Sequence, residues 1–159
     1  MDYKVLGTIF LSIFILTYSQ QNQSIKSNPG EATMKTSRIE IVKKFIEAYN
    51  SLDVEKMMTF LHPEIVFKNI SNGEEDTHIT GIDEFRELAK KSLMLFKERE
   101  QKIISYTEEG DTVNVEIAYH AILAIDLPNG LKAGDSLDLN GKSKYVFKDD
   151  LIILLVDES

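Results

Sequence analysis

Tyr49, Asn69 and His120 are the side chains of this 159-residue sequence whose types and positions best suit chemistry in an enclosed site. His120 lies in the alternating run from Thr112 to Leu127, on the parity that also carries Asn114 and Glu116. An imidazole there transfers a proton near neutral pH or ligates a metal, and a lone strand histidine serves equally as a sheet or surface group. Asp138 falls in a neighbouring strand candidate, where the register decides between a His–Asp pair and a solvent-facing acid. Tyr49 offers a phenol and Asn69 a primary amide, groups that orient a ligand; the amide takes no proton from carbon. Tyr49, Met57, Phe60 and Phe85 are candidates for an apolar lining, in which thioethers adapt to irregular shapes. The same residues suit ordinary helix–sheet packing, and empty volume is what separates the two readings.

Other chemistries have no pattern to carry them. His62, His78 and His120 make no HExxH or compact His/Asp cluster, so the sequence calls for no metal. A Gly-rich phosphate loop, a serine elbow and a dinucleotide fingerprint are all missing, and no cofactor is expected. Zero cysteines excludes disulfides, thiolate nucleophiles and cysteine-ligated metals. A formal charge of -8 disfavours nonspecific binding to nucleic acid or an anionic membrane.

The elements that must position these residues begin at Arg38. Ile39, Val42, Phe45, Ile46 and Tyr49 recur at helical spacing, with charged residues on the other sides. Ser37 and Glu40 have the form of a capping box, and Asp53 can cap a second helix containing Met57 and Phe60. Pro63 limits that helix, and a strand from Ile65 to Ile70 follows. Ser71 to Gly81 reads as a loop over a cavity mouth. Asp83 then caps a third helix whose buried side runs from Phe85 to Phe96.

Strands are expected over Arg99–Thr107, Thr112–Leu127 and Ser136–Phe147, the last with a bulge at Gly141. The six apolar residues Leu151–Val156 form a final strand needing cover on both faces. One face meets the helices, and a second subunit is a candidate for the other.

Residues 5 to 16 are almost wholly apolar, too short for a usual membrane span, and preceded by Lys4. They predict a secretory signal over residues 1–19, cleaved before Gln20, and hence a periplasmic or extracellular protein with no stable membrane span after cleavage. Residues 20–37 form a polar leader without periodicity, and residues 38–157 the domain.

Three helices followed by a largely antiparallel sheet, with IVKKFIEAYNSLD, VEKMMTFLHPEIVFKN, TGIDEF and KSKYVFKDDLIILLVD in that order, resemble the nuclear-transport-factor-2-like superfamily, especially its SnoaL-like and ketosteroid-isomerase-like members. The resemblance spans about residues 38 to 157. It implies an α+β, cone-shaped fold, with three N-terminal helices packed on a strongly curved, predominantly antiparallel sheet, and a homodimer through the outer sheet face.

The superfamily includes isomerases, cyclases, dehydratases, ligand binders and association domains, so local chemistry has to choose. In the resembling isomerases a tyrosine donor stands at the position of Phe45 and the base at that of Asn69. Neither residue replaces what is missing. The leading expectation is therefore an exported domain that binds a small, partly apolar molecule through Tyr49, Met57, Phe60, Asn69, Phe85 and His120, without catalysis. One alternative is a proton-transfer enzyme of the isomerase, cyclase or dehydratase type with His120 as acid or base. The other is a non-catalytic dimeric interaction domain.

Overall fold

The computed structural model describes residues 37–159; the expected signal and most of the leader lie outside the described residues. Helix α1 spans Arg38–Asn50, α2 Val54–Met58 and α3 Ile82–Ser92. The strands are β1 Leu61–Ser71, β2 Glu74–Thr80, β3 Phe96–Glu109, β4 Thr112–Leu123, β5 Ser136–Lys148 and β6 Leu151–Glu158. They form one sheet in the order β2-β1-β6-β5-β4-β3. β1 runs parallel to β6, and every other neighbouring pair is antiparallel.

One side of this sheet carries the core. Val113, Val115 and Ile117 of β4, Tyr145 and Phe147 of β5, Ile152 and Leu155 of β6, and Ile65 and Phe67 of β1 pack with the buried sides of the three helices. The two-residue strand period makes this possible, because alternate residues share a face. Phe45 meets the edge of Tyr145 at 6.0 Å between ring centres, and Phe67 meets Phe85 at 5.5 Å, tying α1 and α3 to the sheet.

The expected strongly curved cone does not form. The sheet is mixed and is neither strongly curled nor closed, with β2 and β3 left as its two edges. Strong curvature needs bulges that bend neighbouring strands together. The register breaks here are scattered, between Leu61 and Val66, Asn69 and Ile70, Phe96 and Glu98, Ile103 and Ser105, and Val146 and Phe147. Between β4 and β5 the pairing is unbroken from Thr112↔Val146 to Ile122↔Ser136, so that pair has no bulge to bend it.

Local expectations are corrected for similar reasons. Gly141 makes no bulge; it pairs in register with Ile117, and a Cβ there would stand 3.1 Å from the Glu158 carbonyl, so it serves close approach. The acidic segment after β1 is a hairpin. Asn72 and Gly73 both have positive φ, at 53° and 79°, the backbone of a tight turn between antiparallel strands. Ser37 makes no side-chain cap on α1 and donates instead to Glu108 at 2.9 Å. Asp53 does cap α2, accepting from the Lys56 N–H at 2.9 Å. Gly81, not Asp83, precedes α3, and Phe96 opens β3 instead of ending that helix.

Candidate active site

The C-terminus of α1 sets up the site. Leu52 takes a left-handed backbone, φ 61°, which lets its N–H reach the Tyr49 carbonyl and the Asp53 N–H reach that of Ala48. Asn50, the last residue of α1, grips the edge of β3: its Nδ2 donates to the Gln101 carbonyl at 3.0 Å and its Oδ1 accepts from the Gln101 N–H at 2.8 Å. Helix end and strand are thereby held in fixed register.

That register brings Arg99 of β3 under the helix end, where only 6% of its surface is exposed. Its Nε and Nη2 donate to the Tyr49 carbonyl at 3.3 and 3.2 Å, and its Nη1 donates to Ser92 Oγ at 2.9 Å. The guanidinium carbon also lies 3.7 Å from the centre of the Tyr49 ring. A helix C-terminus has a partial negative charge and an aromatic face a negative potential, and both favour a buried cation. No carboxylate among the described residues pairs with it.

Arg99 lines a cavity of about 60 Å³ between the helices and the sheet. Phe45, Tyr49, Met57, Phe67, Phe85, Leu88, Ala89, Tyr145 and Leu155 supply most of its wall, and Ser92, Gln101 and Asp157 join Arg99 as polar members. The Gln101 side chain is 7% exposed and makes no hydrogen bond among the described residues. Asp157 is 9% exposed and held by one hydrogen bond, from Ser143 Oγ at 2.5 Å across the β5–β6 pair. Burial disfavours its charged form and pushes its pKa up to about 6, against the opposing effect of that bond.

Burial likewise raises the pKa of Tyr49, with Arg99 and a hydrogen bond to Tyr119 pulling the other way. Tyr119 and Tyr145 are also held protonated by burial. The cavity thus presents a carboxylic group that changes charge near neutral pH, a permanent cation, a free amide and a protonated phenol around an apolar wall. This set can remove a proton, return it, and stabilise negative charge on a substrate oxygen between the two steps.

Of the residues singled out in the sequence, Tyr49, Met57 and Phe85 line this cavity. Phe60 is half-buried against the core. Asn69 is fully buried on β1, where its amide donates to Asp76 at 2.9 and 3.0 Å and to Ser71 at 3.2 Å. His120 is exposed on the other side of the sheet, its Nδ1 2.7 Å from Asp138 Oδ1, because the register sets the two directly opposite. His120 and Asn69 therefore do not converge. Their neighbours Tyr119 and Ala121, on the opposite parity of β4 from His120, are the buried ones.

Arg99, Gln101 and Asp157 were missed by sequence reasoning. The polar look of β3 concealed that Phe96, Arg99 and Gln101 are its buried residues, Arg99 being brought inward by a register break after Phe96. Asp157 lies two residues beyond Leu155, on the same buried parity, and ending the strand at Val156 left it out. Two-residue periodicity carried one step further was the available signal.

The residues from 42 to 155 match the model of the SnoaL-like domain, and the chain belongs to that family. Solved structures share its fold. A candidate polyketide cyclase from Xanthomonas campestris is 19% identical with a TM-score of 0.66, covering 77% of this chain and 89% of that one. An LEH-like epoxide hydrolase from M. tuberculosis is 20% identical with a TM-score of 0.62, over 77% and 82% of the two chains. An NTF2-like protein from Burkholderia pseudomallei is 16% identical with a TM-score of 0.64, over 77% and 90%. No curated protein matches the sequence at a significant level.

The expected binding domain without catalysis is corrected by these findings together. Its three polar residues do not meet in one cavity, and the cavity instead holds Asp157, a titrating acid. The catalytic alternative fits better.

Proposed function

We propose that this domain is a proton-transfer enzyme of the isomerase, cyclase or dehydratase type, with Asp157 as its acid–base group. The carrying observation is the Asp157 carboxyl, buried at an apolar cavity and titrating near 6. A base with that pKa is largely ionised at neutral pH, yet its conjugate acid still gives the proton back readily. In the forward step the carboxylate takes a proton from a carbon next to a carbonyl, and the electron pair moves onto the carbonyl oxygen. The Gln101 amide and Tyr49 hydroxyl are the donors placed to meet that oxygen. Asp157 then returns the proton to another carbon or to a departing hydroxyl. The names of the cyclase and hydrolase relatives support a reaction of this kind without identifying a substrate.

The test is exchange of solvent deuterium into the acidic C–H positions of small carbonyl compounds, followed by NMR. The wild-type rate should rise with pH through about 6, as expected for a base that must be ionised. Asp157→Asn should lower the rate at least about 100-fold, and His120→Ala, altered on the outer sheet side, should leave it within about twofold of the wild type. An Asp157→Asn variant with the wild-type rate overturns the proposal.

We further propose that the domain acts after export and as a homodimer through the outer sheet face, where Val146, Leu154 and Val156 stand only partly buried. Among the described residues no helix is long and apolar enough to cross a membrane.

A further inference from the structure

Arg99 is a cation more than nine-tenths buried, at the wall of a cavity, without a carboxylate partner among the described residues. Burying a charge is costly unless it is paired. The end of α1 and the Tyr49 ring offset part of that cost, but a helix terminus supplies only a fraction of a unit charge. A guanidinium has five N–H groups. Bonds to the Tyr49 carbonyl and Ser92, with a further one to the Tyr49 hydroxyl, take most of them, and none goes to a carboxylate among the described residues. A buried guanidinium at a cavity wall with no carboxylate of the protein beside it suits the carboxylate of a ligand.

Size and lining narrow the choice further. A space of about 60 Å³ is well under the roughly 150 Å³ of an apolar cavity that takes up benzene, so it suits the smallest organic ligands, with part of the molecule at its open mouth. Met57, Phe67, Phe85 and Leu88 ask for a short apolar body. Asp157 makes no ion pair with Arg99 among the described residues, which leaves the cation available to a ligand.

We propose that the cavity selects a short-chain carboxylic acid, its carboxylate received by Arg99 and its apolar body by the aromatic wall. This deepens the proton-transfer reading, since the same cavity would place the acid's carbon chain on the Asp157 side, and makes the substrate class a small organic anion. Arg99 acts here as a positioning residue for the anion.

The experiment compares propanoate with propanamide, equal in size and different in charge, at mildly acidic pH where propanoate is ionised. NMR titration of the wild-type domain follows the Arg99 Nε–H signal. Propanoate should bind at least about tenfold more tightly and shift that signal. Arg99→Met should abolish the preference, and Arg99→Lys should keep part of it, both checked for folding by thermal melting. If the methionine variant does not fold, the wild-type pair and the Arg99 signal decide. Equal affinities, or propanoate binding that leaves the Arg99 signal unmoved, overturn the inference. Equal affinities together with lost exchange in Asp157→Asn would sink the anion inference alone. Selective propanoate binding with unchanged exchange in Asp157→Asn would sink the proton-transfer reading alone.

Discussion

Replacing Asp157 by asparagine keeps its shape and removes its charge, which separates what the residue costs the fold from what it does. Its pKa is raised in the folded chain, from an ordinary 3.8 to about 6. The folded state therefore holds the proton more tightly than the unfolded state. Its relative contribution to stability is fully present below about 3.8 and is lost as pH rises through about 6. A difference of that size is on the order of 3 kcal/mol at neutral pH and above. Asp157→Asn should accordingly unfold at a higher denaturant concentration than the wild type at neutral pH, with the gain disappearing at acid pH. Urea titrations at the two pH values check this. Equal stability of the two proteins at neutral pH would mean that the carboxylate is not strained by burial. A variant that gains stability while losing exchange would show the trade between stability and activity expected of an acid buried for chemistry.

Two residues past the end of helix α1, Leu52 takes a left-handed conformation that residues with a Cβ adopt at a cost. Leu52 belongs to neither apolar cluster, so little core packing is lost by removing it. Leu52→Gly should raise stability by about 0.5–1 kcal/mol, measured by thermal or urea unfolding, because glycine fits this terminus without a Cβ penalty. The opposite sign is expected at Gly141. Its Cβ would press on the Glu158 carbonyl of the neighbouring strand, and the contact is with backbone, which yields little. Gly141→Ala should cost about 1 kcal/mol or more, and would loosen the β5–β6 pair that also aligns Ser143 with Asp157. A fall in exchange rate larger than the fall in stability would report that alignment.

At the scale of the whole molecule, the open sheet leaves β2 and β3 as edges, and its outer side carries the partly buried Val146, Leu154 and Val156. Size-exclusion chromatography with light scattering should give a dimer; a monomer at every concentration would overturn that proposal. N-terminal sequencing of exported material should start near Gln20, and retention of Met1 would refute cleavage. Both tests are independent of the cavity, which is assembled within one chain from α1, α2, α3, β1, β3, β5 and β6.

The sequence by itself determined the helices, most strands and the family resemblance, because the 3.6- and two-residue periods of burial are local properties of the chain. The stripe Ile39–Val42–Phe45–Ile46 and the buried parity of Val113, Val115, Ile117 and Tyr119 lie where their spacing put them. It also gave Tyr49, Met57 and Phe85 as residues of the cavity side. Tertiary structure alone decided which polar groups share that cavity. Arg99 turns inward through a register break, Asp157 meets Ser143 only through strand pairing, and His120 meets Asp138 on the outside for the same reason. The curvature of the sheet was beyond the sequence too, since it depends on whether bulges in separate strands align. Burial then turned an ordinary aspartate into an acid that titrates near 6, a property of its surroundings and not of its place in the chain.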